Sequence, residues 1–195
     1  MMILCISGSP KTGPTEDLLD LALRVATERG YRTERILCSA TRIAPCIDCG
    51  ECARGQTCPI DDDMPQVSRL LSRADGVIVG SPAYFGSVSS QLKALFDRTL
   101  PLKLQGGQLK DKAGCAFSVP GPLQGGHGRT VDSIQAWMLI QGMIVVGGEN
   151  PSGMSMVQPS TDDVPGIEAV EAVAGRLCDL LDRTGKKGSC WAGGD

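Results

Sequence analysis

Histidine is nearly absent from this chain of 195 residues: His127 is the only one. That excludes a polyhistidine metal site and leaves a Ser-His-Asp triad without support. A basic surplus is missing as well. With a formal net charge of -3 the chain has little with which to neutralise a phosphate backbone, so no nucleic-acid partner is expected. No apolar run approaches the roughly 18 residues needed to cross a bilayer, so no membrane partner is expected either. Met1 to Ile6 shows neither a basic region nor a small-residue cleavage site, which predicts a cytoplasmic location. In a reducing compartment the nine cysteines read as thiols or metal ligands rather than as a disulfide scaffold.

Short apolar runs suited to strands recur at Ile3 to Ile6, Thr33 to Leu37, Gly76 to Val79, Gly114 to Val119 and Gly142 to Val146. Helical spacing lies between them: Leu18, Leu19, Leu21, Ala22, Val25 and Ala26 share one face of a 3.6-residue period. Further helices are expected at Met64 to Arg73, Ser89 to Leu100, Thr130 to Ile140 and Val164 to Arg183. Strands alternating with helices argue for an α/β fold, a doubly wound five-stranded parallel sheet of flavodoxin-like order 2-1-3-4-5. One domain is expected over residues 1–184, with a glycine-rich tail at 185–195. Residues 44–60 interrupt the alternation and read as a loop inserted for its chemistry.

That loop holds Cys46, Cys49, Cys52 and Cys58, a C-x2-C-x2-C run completed after five intervening residues and followed by Pro59. Each two-residue spacer turns the chain back toward one centre, which suits a [4Fe-4S] cubane better than a single ion. Structural zinc usually takes two separate C-x2-C knuckles, whereas here the pairs share Cys49. A zinc knuckle, a pair of redox disulfides and four unrelated thiols are the other readings. Cys5, Cys38, Cys115 and Cys178 fall in or beside apolar runs and read as core, and Cys190 lies in the tail.

Ligands of open parallel sheets bind at the carboxyl ends of the strands. After the first strand, Ser7 to Thr15 opens directly onto a helix, where Ser9, Lys11, Gly13 and Thr15 are placed to hold a phosphate. Gly8 and Gly13 have P-loop separation, but Pro14 stands where the lysine must be. No G-x-G-x-x-G is present, so a single terminal phosphate, as in FMN, fits better than a nucleoside triphosphate or a dinucleotide. The same stretch also reads as a plain capped turn with Thr15 as N-cap. After the third strand, Pro82, Ala83, Tyr84, Phe85 and Gly86 bring together two of few aromatics, beside a flat ring or merely packed. After the fourth come Gly121, Gly125, Gly126 and His127; the histidine is a flavin contact or a solvated surface residue. Asp61, Asp62 and Asp63 read as helix-capping and dipole groups rather than a cation site. No catalytic acid or base is assigned.

These residues resemble the iron-sulfur flavoproteins, within the wider NADPH-dependent FMN reductase group. The likeness runs from Ile3 to about Leu181, most specifically through Ala44-Pro45-Cys46 to Asp61-Asp62-Asp63-Met64, with Ile6 to Pro10, Ala74 to Val79, Gln91 to Arg98 and Gly142 to Gly147 also matching. The resemblance implies one FMN and one [4Fe-4S] cluster per chain, and a homotetramer built as a dimer of dimers. It also implies electrons taken singly from ferredoxin or a similar donor and passed through cluster and FMN to a quinone, dioxygen or peroxide. This chain departs from the pattern in having Lys11 where arginine is common, Thr15 near a usual asparagine, an unusual Pro14, and Leu123 and Gln124 in place of an arginine and an asparagine. The rival reading is an NAD(P)H-dependent FMN or quinone reductase with a zinc-stabilised loop; a redox sensor without enzymatic activity is a third.

Overall fold

The computed structural model describes residues 1–120, 125–148, 155–156 and 164–185. Among these, the strands are β1 (Met2–Ser7), β2 (Arg32–Leu37), β3 (Gly76–Pro82), β4 (Ala113–Val119), β5 (Ile144–Val145) and β6 (Ser155–Met156). Between and after them run α1 (Pro14–Glu28), α2 (Met64–Arg73), α3 (Ser90–Asp97), α4 (Leu100–Leu104), α5 (His127–Ile140) and α6 (Val164–Gly185). All the strand pairs are parallel, in the order β2-β1-β3-β4-β5. The flavodoxin-like α/β order expected from the alternating apolar runs is the one observed.

Both faces of the central strands are covered, which is why β1, β3 and β4 are largely apolar, with Ser7, Ser81 and Ser118 the polar residues near their carboxyl ends. Successive side chains point to opposite faces. Leu4, Ile6, Val77, Val79 and Ala116 therefore pack with Leu71, Leu95 and Ile134 in one core, while Ile3, Cys5, Ile78, Cys115 and Phe117 pack with Leu19 and Leu177 in the other. Gly80 makes room for Phe117, whose ring would stand 2.2 Å from a Cβ at that position. β2 forms an edge and carries Arg32, Glu34 and Arg35, charges that discourage pairing with a further strand.

Several boundaries differ from the sequence reading. The fifth strand is short, Ile144–Val145, and β6 pairs with β4 further along, Phe117 opposite Ser155. Gly147 and Gly148, which follow the first piece, are poor strand residues. The helix expected from Ser89 to Leu100 is two helices. Pro101 lacks the N–H that would have bonded the Asp97 carbonyl, so α3 stops there and α4 begins afresh. Pro82, expected in a loop, ends β3, and α5 starts at His127 rather than Thr130. Gly185, expected in the tail, closes α6; residues 186–195, with Cys190, lie outside the described residues. No helix among the described residues is long and apolar enough to cross a membrane.

Candidate functional site

The loop after β1 is built by short polar contacts. The Ser9 amide donates to Ser7 Oγ at 3.2 Å, and the Ser9 hydroxyl donates to the Lys11 carbonyl at 2.5 Å. The amide of Gly8 is held by the Gly80 carbonyl at 2.7 Å, so the loop is fastened to the end of β3. Thr15 is not the N-cap. Gly13 takes that position and Pro14 the first helical one, because proline's fixed φ suits a first turn and its missing N–H would have been unpaired anyway. The carbonyl of Gly13 accepts from Glu16 and Asp17, while the amides of Thr12 and Gly13 have no partner among the described residues. Lys11 is exposed and enters no ion pair there. Two open amides, a cation and the positive end of a 15-residue helix make a suitable phosphate seat. Glu16, unremarked in the sequence, is buried and accepts from the Ser39 hydroxyl at 2.6 Å, which ties α1 to the chain leaving β2.

After β3, Tyr84 and Ser87 exchange two backbone hydrogen bonds at 2.9 and 3.0 Å around Phe85 and Gly86, whose φ values are 49° and 76°. Two consecutive left-handed residues make a type I′ turn, and Phe85 at its tip is fully exposed. Across from it, Gly126, φ 82°, lies so close that an added Cβ would stand 2.6 Å from the Gly86 Cα. The loops after β3 and β4 therefore meet, with His127 next in line. His127 Nδ1 and, in β4, Ser118 Oγ are buried with no partner among the described residues. Open donors at α1, exposed aromatics and orphaned polar atoms fit a phosphate-bearing flat ring such as FMN. Gly121, Leu123 and Gln124 lie outside the described residues.

The cysteine loop leaves β2 and returns to α2 through a neck in which the Asp63 amide donates to the Arg42 carbonyl at 3.0 Å and Asp63 Oδ2 accepts from the Arg42 amide at 2.7 Å. Asp62 Oδ2 accepts from the Ala44 amide at 2.9 Å and Oδ1 from the Met64 amide at 3.0 Å. Asp62 and Asp63 are thus fasteners of the loop rather than simply dipole groups, a role set by contacts across the loop that no local pattern reveals. Burial alone raises the Asp62 pKa, but hydrogen bonds from Arg98, Ala44 and Met64 and the Arg98 charge outweigh it and leave the carboxyl lowered.

Cys46, Cys49, Cys52 and Cys58 all line one cavity of about 290 Å³, together with Met64, Pro65, Leu100 and Pro101. The loop turns through left-handed Asp48, Gly50 and Gly55, with a short 3-10 turn at Cys52–Arg54. Among the described residues no three Cys, His, Asp or Glu side chains sit close enough to share one ion. Four thiols lining one cavity are the donor set that a [4Fe-4S] core takes. The other described cysteines are buried core thiols: burial pushes Cys38 up to about 12 and Cys178 up to about 11, and raises Cys5 and Cys115 as well.

One helix joins the two places. The Ser89 hydroxyl caps α3 by accepting from the Leu92 amide and donates to the Gly8 carbonyl of the phosphate loop. At the other end of α3, Arg98 lines the cysteine cavity. Nine residues of helical rise put these ends about 14 Å apart.

Residues 1–154 match the model of the NADPH-dependent FMN reductase family. Over 183 residues the chain is 43% identical to the iron-sulfur flavoprotein of Methanosarcina thermophila, covering 93% of this chain and 96% of that one. An iron-sulfur flavoprotein of Methanocaldococcus jannaschii is 42% identical over 190 residues, covering 93% and 97%. In structure the chain is similar to the flavodoxin, WrbA-like protein from Agrobacterium tumefaciens, with a TM-score of 0.68 at 17% identity over 93% of this chain and 97% of that one.

Proposed function

This chain belongs to the NADPH-dependent FMN reductase family and to its iron-sulfur flavoproteins, and we propose that it passes single electrons from a carrier such as ferredoxin, through a [4Fe-4S] cluster and FMN, to a quinone, dioxygen or peroxide. Membership makes it an FMN-dependent oxidoreductase. The cluster rests on one observation, that all four cysteines of the C-x2-C-x2-C run and its partner line a single cavity; the donor and acceptors rest on the family resemblance.

When bound, the cluster supplies one-electron exchange and the flavin one- or two-electron exchange. The chain positions them. Cys46, Cys49, Cys52 and Cys58 would hold the cluster. The Thr12 and Gly13 amides, Ser9 and Lys11 would bind the flavin phosphate at the start of α1, where the helix dipole favours negative charge. The 84–87 turn and Gly125, Gly126 and His127 would border the ring, and no side chain is assigned a proton transfer.

A homotetramer built as a dimer of dimers, working in the cytoplasm, completes the proposal. Leu100, Leu104, Leu139, Ile140 and Ile144 support an association surface, since all are large apolar residues left exposed on neighbouring elements.

Anaerobic purification followed by iron, zinc, acid-labile sulfide and flavin analysis tests the reading. Iron and sulfide near about four each per chain, with faster reduction by ferredoxin than by NADPH, are expected. Zinc without sulfide, with NADPH as the better donor, overturns it and leaves an NAD(P)H-dependent FMN or quinone reductase.

A further inference from the structure

We propose that Arg98 is the positioning residue of the cysteine loop: one buried guanidinium ties together the two stems of the loop and presents its positive charge to the cavity that the cysteines line. The stapling half rests on the fold alone, and the electrostatic half rests on the cluster reading.

The stems are Ala44, two residues before Cys46, and Asp62, four residues after Cys58. Arg98 Nη1 donates to the Ala44 carbonyl at 2.9 Å and to Asp62 Oδ2 at 2.8 Å, and Nη2 donates to Asp62 Oδ1 at 3.1 Å. Asp62 Oδ2 in turn accepts from the Ala44 amide at 2.9 Å. Both polar backbone groups of Ala44 are thereby held by one ion pair, whose side chains are only 3% and 2% exposed. The planar fork of arginine reaches all three acceptors at once, which the single ammonium of lysine does not. Its base is firm, because Arg98 ends a helix whose other end is capped by Ser89.

Among the residues lining the cavity Arg98 is the one cation, and its partner Asp62 is not among them; the lining carboxylates are Asp48 and Asp97, the latter engaged by Lys93 at 2.6 Å. Burial lowers the Arg98 pKa, but Asp62 and then Cys58 and Cys46 outweigh it and raise it. The ion pair therefore turns its positive member toward the cavity, and a positive end beside an anionic thiolate-bound core would favour its reduced, more negative state, so Arg98 draws the reduction potential upward.

Arg98→Lys and Arg98→Met test this, with iron and sulfide content, midpoint potential and tryptic cleavage after Arg54 as readouts. In the metal-free chain both variants are expected to be cut roughly tenfold faster or more than the native chain, as each loses the fork that joins Ala44 to both oxygens of Asp62. In anaerobically purified protein, Arg98→Met is expected to lose iron and sulfide and to shift the midpoint of the remainder to more negative values. Arg98→Lys, which keeps the charge, is expected to lose iron and sulfide with little shift. Native cutting rates in both variants overturn the stapling role, and an unshifted midpoint in Arg98→Met overturns the electrostatic one. Absence of sulfide from the unmutated protein overturns the cluster reading and with it the electrostatic role, while the cutting rates still decide the staple. Should Arg98→Met fail to fold, the cutting rate of Arg98→Lys decides the staple, and its midpoint, if shifted as far as loss of charge would bring, overturns the assignment of that role to charge.

Discussion

The backbone of Gly126 rests on that of Gly86, with a Cβ at residue 126 placed 2.6 Å from the Gly86 Cα and φ at 82°. Two loops that leave different strands, β3 and β4, are brought together only because neither residue has a side chain there. Gly126→Ala adds a methyl group against backbone and a left-handed penalty of about 1–2 kcal/mol. Fluorescence titration with FMN is expected to show binding weakened about tenfold, with the fold retained by circular dichroism. Native affinity in this variant would mean the two loops need not meet for the flavin to bind.

Lys11 is exposed beside the open amides of Thr12 and Gly13. Lys11→Met is expected to weaken FMN binding by about 1 kcal/mol, roughly fivefold, as befits a solvent-screened charge pair. Riboflavin, which has no phosphate, is expected to bind the variant and the native chain equally. Equal losses for both ligands would place the phosphate elsewhere.

Asp62 has a lowered pKa in the folded chain. A carboxylate lowered in this way stabilises the fold in its ionised form. Its contribution is fully present above the unfolded value of about 3.9 and is lost as pH falls through the lower folded value. Breaking the pair by Asp62→Ala leaves Arg98 buried and uncompensated, an expected loss of about 3–5 kcal/mol at neutral pH in urea unfolding. Below about pH 4 the difference between native and variant chains is expected to shrink. A difference that stays constant down to acid pH would show that the charge of Asp62 does not carry the effect.

Cys46 and Cys49 are exposed, whereas Cys5, Cys38, Cys115 and Cys178 are buried with raised pKa values. In metal-free native protein, iodoacetamide followed by peptide mass spectrometry is expected to label Cys46 and Cys49 within minutes and to leave the four core thiols unlabelled until urea is added. Rapid labelling of Cys115 would contradict its place in the core.

Much of the fold was readable because local patterns carried it. Ile3 to Ile6 and Gly76 to Val79 are strands buried on both faces, and continuous apolarity is what such burial demands. The beginning of α1 was misplaced at Thr15 since a hydroxyl residue is the usual cap; Pro14 was the signal that the helix starts earlier. Pro101 likewise marks the break between α3 and α4. At the site, the cysteine run was readable from its spacing, while Glu16 and Arg98 were not singled out, because nothing in their immediate neighbours distinguishes them from surface charges.

The sequence by itself determined the order of strands and helices, the insertion after β2, the four-cysteine run and the exclusion of a P-loop lysine. These are properties of spacing and residue type along the chain, and local geometry turns them into structure. Only the tertiary structure decided that Arg98 meets Asp62 at 2.8 Å across 36 residues, that Gly126 meets Gly86, and that one helix spans from the phosphate loop to the cysteine cavity. Such pairings depend on where the sheet sets each loop in space, and on burial that strengthens an ion pair only once water is gone.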